Sequence, residues 1–100
     1  MAEPTTKPTL IMCSVYDSKV GVYFQPFFAR SRAEAIRSFA DAANQNGHIF
    51  NKHPGDFSLF ASATWCEETN STENLLAPDN LGTALEHLSR TDDPLQADLA

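Results

Sequence analysis

The chain has 100 residues, 42% of them apolar, and a formal charge of −6 at pH 7. That describes one domain with a modest core: too apolar for a disordered chain and too acidic for binding that relies on bulk positive charge. No apolar run approaches the roughly 18 residues of a membrane span, and the polar, proline-rich start at residues 1–8 is unlike a secretory signal. The expected setting is therefore a cytoplasm. In such a compartment Cys13 and Cys66 read as small buried hydrophobes, not as a disulfide. With His48, His53 and His87 they form no zinc-binding spacing, so no metal and no cofactor is expected.

Charge is unevenly distributed. Residues 18–52 carry five cations (Lys19, Arg30, Arg32, Arg37 and Lys52) against Glu34 and Asp41. Residues 53–100 carry Arg90 alone against nine acids. A basic face and an acidic tail would account for this, as would an ordinary solvated surface.

In chain order, residues 1–8 read as a flexible arm. Residues 9–17 (TLIMCSVYD) are rich in strand formers and predict a first strand. Residues 20–27 (VGVYFQPF) predict a second, with Pro26 marking its far end. A two-residue turn at Ser18-Lys19 would pair Asp17 with Val20, Val15 with Val22 and Cys13 with Phe24. Ile11, Cys13, Val15, Val22 and Phe24 would then share a core face. Met12, Ser14, Tyr16, Tyr23 and Gln25 would share the other. Ser18-Lys19 lacks the Asn-Gly chemistry of the tightest hairpins, so a longer loop using Gly21 is the alternative.

Ser31 followed by Glu34 is a capping-box pair and opens a helix over residues 31–45, ending at Asn46-Gly47. Ala33, Ile36, Phe39, Ala40 and Ala43 recur at helical spacing and form its apolar stripe. Residues 48–56 predict a loop. Residues 57–65 (FSLFASATW) alternate as a third strand, with Phe57, Leu59, Ala61, Ala63 and Trp65 on one side and Phe60 on the other. Residues 73–78 predict a short fourth strand. Asn80 would cap a short helix over residues 81–89, and an acidic mobile tail follows from residue 91. The fold class is α+β: a mainly antiparallel sheet of three to four strands with one helix on one face. The single domain spans residues 9–90.

Nothing in the sequence resembles a catalytic set. The four glycines are scattered singly, so no phosphate-cradling loop is present. His53 and Asp56 fit turn chemistry better than acid–base work. The aromatics carry more information. Tyr16, Tyr23 and Phe60 share the sheet face that the helix is not expected to cover. An open aromatic face near cations can stack unpaired bases, with Lys19, Arg30, Arg32, Arg37 and Lys52 following the phosphates. The same aromatics would equally suit a dimer interface, or a small core beneath the C-terminal segment.

An ordered set of short motifs adds to this reading. Val15-Tyr16-Asp17-Ser18-Lys19 is followed by Tyr23-Phe24-Gln25-Pro26-Phe27-Phe28, by Ala35-Ile36-Arg37-Ser38-Phe39, and by the run from Asn51 to Phe60 that contains His53-Pro54-Gly55-Asp56-Phe57. The set resembles the small nonstructural protein of gokushoviruses, microviruses with small circular single-stranded DNA genomes. It spans roughly half the chain, residues 15–60. Beyond it, Ala63, Trp65, Cys66 and Asn70 depart from the glycine, aromatic and acidic pattern usual there. The resemblance implies a non-enzymatic viral accessory protein in the host cytoplasm. Its expected role is single-stranded DNA binding during the switch to single-strand genome synthesis. A homodimer, or an adaptor to a replication or capsid protein, is the alternative.

Overall fold

A computed structural model of the chain describes residues 9–89; the expected arm at residues 1–8 and the acidic tail at residues 91–100 lie outside them. Five antiparallel strands form one open sheet: β1 (Thr9–Asp17), β2 (Val22–Tyr23), β3 (Phe27–Ala29), β4 (Phe57–Cys66) and β5 (Ser71–Thr83). The order is β2-β1-β4-β5, and β3 also pairs with β1 on the β2 side. One principal helix, α1 (Arg32–Ala43), and a short one, α2 (Ile49–Lys52), lie on one face. The α+β architecture with a single helical layer agrees with the sequence. Among the described residues no helix is long and apolar enough to cross a membrane.

The first hairpin uses the longer loop. Gly21 adopts φ 83°, a left-handed conformation that favours glycine, and its N–H donates to the Asp17 carbonyl at 2.7 Å. The buried Asp17 carboxylate accepts from Lys19 N at 3.0 Å and from Val20 N at 3.4 Å. The loop moves the register by two residues, so Asp17 faces Val22 and Tyr16 faces Tyr23. A shift of two preserves which side each residue faces. The expected second strand then divides. Pro26 has no N–H for the ladder, and pairing resumes one residue out of step, with Cys13 opposite Phe27 and Met12 opposite Phe28. Val22, expected in the core, is exposed. Phe24 sits at the core's edge, its ring centroid 5.9 Å from those of both Phe50 and Phe57.

α1 begins as the capping box predicts. Ser31 Oγ accepts from Glu34 N at 3.1 Å, and Glu34 Oε1 accepts from Arg30 N at 2.7 Å. Its buried positions are Ala35, Phe39 and Ala43, four apart; Ala33 is exposed, and Ile36 and Ala40 are half-buried. The expected stripe was therefore rotated by part of a turn. The segment after α1 is not a plain loop. His48 Nδ1 accepts from Phe50 N at 3.0 Å and caps α2. This turns Phe50 into the core, with ring centroids 5.4 Å from Phe39 and 4.8 Å from Phe57. Cys13, Val15, Leu59 and Ala61 complete the sheet's contribution to that core.

β5 is far longer than the predicted fourth strand and runs into the start of the region assigned to a C-terminal helix. Among the described residues, only a 3-10 turn, Leu85–His87, follows it. Gly82 explains the difference: at φ 111° it continues an irregular strand where other residues would be strained. Thr83, not Asn80, caps the turn, its Oγ1 accepting from Glu86 N at 3.2 Å. Ala84 joins the core and Leu88 packs against it, so this segment lies on the helix side.

The sheet also settles the cysteines' relation. Cys13 lies opposite Ala61 and Cys66 opposite Thr9. Four residues of β1 separate the two positions, about 13 Å, well beyond disulfide reach. Burial pushes the Cys13 thiol up from its ordinary pKa, opposed in part by the positive charge of Arg32.

Candidate nucleic-acid interface

The face of the sheet away from α1 is set by strand parity and by one bulge. From Asp17–Phe57 to Cys13–Ala61, β1 and β4 pair regularly, so Val15 and Leu59 point to the core while Tyr16, Ser14 and Phe60 point to the open face. Ser62 is then inserted without a partner on β1, and pairing resumes at Met12–Ala63. Such a bulge exchanges the two sides of one strand relative to its neighbour. Ala63 and Trp65, expected in the core from simple alternation, move to the open face. Ala63 is fully buried yet stands outside the core cluster, as this requires.

Five aromatic side chains are thereby collected on one face. Tyr16, Tyr23 and Phe60 form a mutual cluster with ring-centroid separations of 4.8, 5.8 and 6.5 Å. The close pair is tilted and the other two are edge-to-face, the geometries that ring quadrupoles favour. Phe28 and Trp65 form a second group at 5.7 Å. The indole N–H donates to Asn70 Oδ1 at 2.8 Å, and Asn70 is held at φ 58° in the turn joining β4 and β5. Tyr23 is 50% exposed and Phe28 47% exposed, so both groups offer accessible ring surface. Tyr16 and Leu10, the residue opposite Trp65, lie six positions apart on β1, so the stripe is about 20 Å long.

Among the described residues, no charged residue interrupts this face. The residues that pairing places there on β5 are Thr72, Asn74, Asn80 and Thr83, beside Ser14 and Ser58 on the inner strands. The strand acids Asp17, Glu73 and Asp79 all fall on the helix side. Ala84 and Leu88, near the end of the described residues, pack on that side too.

The predicted cations divide into two groups. Lys19 stands in the turn between the strands that carry Tyr16 and Tyr23, at one end of the stripe. Arg30 follows directly on β3, two residues beyond Phe28, at the other end. Arg32, Arg37 and Lys52 belong to the helical layer, so the structure does not bring them to the aromatics. Arg32 is already paired: its Nε lies 2.8 Å from Asp79 Oδ2, both side chains being nearly half-exposed. An ion pair that open contributes at most about 1 kcal/mol. Phe28 and Trp65 are the residues that sequence alone missed. The first is hidden by the break at Pro26 and the second by the bulge at Ser62.

His53 and Asp56 are joined through backbone, Asp56 N donating to the His53 carbonyl at 3.0 Å. Among the described residues no group of three or more His, Cys, Asp or Glu side chains is arranged to hold a metal ion.

The family model described as phage ORF5 protein matches residues 10–87. That range takes in both helices and all five strands described above, save Thr9 at the start of β1. Neither a curated protein nor a solved structure matches the chain.

Proposed function

Since the chain belongs to the phage ORF5 protein family and is in that sense a phage accessory protein, we propose that it binds single-stranded DNA through its open sheet face. Within the family, the ordered motifs of residues 15–60 favour the gokushovirus nonstructural protein. The role that fits is the switch from duplex replication to single-strand genome synthesis in the host cytoplasm. We assign it no catalytic activity. The observation that carries the reading is the uncovered stripe of Tyr16, Tyr23, Phe60, Phe28 and Trp65. Exposed rings on a sheet stack unpaired bases irrespective of sequence, at about 1–3 kcal/mol per base. Asn74, Asn80 and Thr72, all exposed, can meet base edges with neutral hydrogen bonds. Lys19 and Arg30, at the two ends, take phosphates. Duplex DNA presents no base faces and would be bound less well.

Fluorescence anisotropy of a labelled single-stranded oligonucleotide, at low and at physiological salt, tests this against duplex of equal length. Salt-sensitive preference for the single strand is expected. Absence of binding at micromolar protein would refute the reading.

A second reading rests on the lack of charge. Interface centres are depleted of charged residues and enriched in aromatics and Met, which describes this face, Met12 included, equally well. Two copies would then meet face to face, or the face would hold a replication or capsid protein. Light scattering tests the dimer, and a monodisperse monomer at working concentration would exclude it.

A further inference from the structure

The open face carries two ring clusters, not one continuous platform. Tyr23 stands opposite Tyr16, Phe28 opposite Met12 and Trp65 opposite Leu10. Measured along β1, the second cluster therefore begins about 13 Å and ends about 20 Å from the first. Among the described residues no ring fills the interval. On the inner strands it is occupied by Ser14 and Ala63, 8% and 0% exposed, with Met12 beside them.

Within each cluster the ring planes diverge. Tyr16 and Tyr23 are inclined at 51°, Tyr23 and Phe60 at 77°, Tyr16 and Phe60 at 89°, and Phe28 and Trp65 at 50°. Successive bases of a stacked strand are parallel and about 3.4 Å apart. No such column can continue from one of these rings to the next. A base that stacks on Tyr23 or Phe28, the exposed ring of each cluster, must therefore tilt away from its own neighbours in the strand. Trp65 is not free to turn and follow it, since its indole N–H is tied to Asn70.

Charge does not substitute for this contact. Lys19 and Arg30 stand at the two ends, but Ser18 is bonded to the Asp56 backbone, Glu34 Oε1 takes the Arg30 N–H, and Glu67 and Glu68 lie in the turn after Trp65. The ends hold no surplus of positive charge, so the grip on each cluster comes from the rings.

Building on the reading of this face as a single-strand site, we propose that it is a bipartite site for weakly self-stacked, pyrimidine-rich strands. Unpaired bases seat singly on the two clusters, and the nucleotides between them cross the floor of Ser14 and Ala63 unstacked. A fully stacked strand would cover the interval with about four to six nucleotides at about 3.4 Å each; a stretched one needs fewer. Purine runs, whose bases stack strongly on one another, resist being broken at two points, and pyrimidine runs yield. The preference arises from the strand's own stacking, not from readout of base edges.

Fluorescence anisotropy tests this by comparing oligothymidylate with oligodeoxyadenylate of the same length, about eight nucleotides, which holds charge constant. A single abasic site is then moved along the thymidylate. Thymidylate should bind severalfold tighter. Abasic substitution should weaken binding in two windows, at most about six nucleotides apart, with a tolerant stretch between them. Phe28→Ala should abolish one window and spare the other. Equal affinity for the two oligonucleotides, tighter binding of deoxyadenylate, or one unbroken window would overturn the inference while leaving single-strand binding intact. Binding of neither would remove the single-strand reading and the inference with it.

Discussion

The placement of the cations makes a quantitative claim about salt. Each phosphate neutralised on a single strand contributes about −0.7 to the slope of log affinity against log salt. If only Lys19 and Arg30 reach the backbone, the slope is about −1.4, and affinity falls about sevenfold between about 50 and about 200 mM salt. If all five cations of residues 18–52 took part, the slope would be about −3.5 and the loss about 130-fold. The variants separate the cases further. Lys19→Ala and Arg30→Ala should each reduce the slope by about 0.7, whereas Arg37→Ala and Lys52→Ala should leave it unchanged. Arg32→Ala should also leave it unchanged, because that guanidinium is held by Asp79 on the helix side. Anisotropy titrations at four or five salt concentrations measure these slopes directly. A slope near −3.5, or one that Arg37→Ala reduces, would mean that the DNA runs over the helical layer and that the aromatic face is not the site.

Tyr23→Ala should weaken single-strand binding by about 1–3 kcal/mol, roughly 5- to 150-fold, while thermal unfolding shows the fold intact, since Tyr23 is half-exposed; unchanged affinity would remove the stacking argument. Phe50→Ala should cost about 3–5 kcal/mol in urea unfolding, because Phe50 touches Phe24, Phe39 and Phe57 together; a loss below about 1 kcal/mol would mean that α2 is not part of the core. Gly82→Ala should destabilise by about 1–3 kcal/mol. It forces an L-residue to φ 111° and sets a methyl 2.7 Å from His87 Nε2, on a ring held to the Leu81 carbonyl at 2.9 Å. A neutral result in thermal unfolding would contradict that geometry.

What sequence could show was governed by locality. The capping box at Ser31 and Glu34, the strand of residues 9–17 and the alternation from Phe57 to Ala61 are written in neighbouring residues, and each formed as read. Tyr16, Tyr23 and Phe60 were brought to one face although the hairpin register was off by two, because a shift of two leaves parity untouched. Parity fails where a single residue is inserted. Nothing in Ala61-Ser62-Ala63 marks Ser62 as a bulge; it arises from how β1 and β5 pair on either side of β4. There residues 75–78 of β5 face Ser62 alone, and Leu76 is fully exposed. Phe50 was overlooked for a related reason: α2 is too short to show a period, and its cap is a histidine, which is not a usual N-cap residue. The basic residues were read as one group because they are adjacent in sequence, whereas the sheet separates Lys19 and Arg30 from the helical cations.

That separation also constrains how an acidic protein can hold a polyanion. With its strand acids on the helix side, the open face is locally neutral, and local potential, not net charge, meets an approaching strand. Steering by long-range attraction is then slight, so association should be unexceptional in rate and affinity should come from the lifetime of stacked bases. The same neutrality makes the face attractive to a second copy, and the two uses exclude one another because they bury the same rings. If both occur, mass action couples them: DNA that binds only the monomer must dissociate the dimer as it saturates. A complex containing two copies and one strand with Tyr23 inaccessible would instead place the DNA elsewhere, and would leave the aromatic stripe to the protein–protein contact alone.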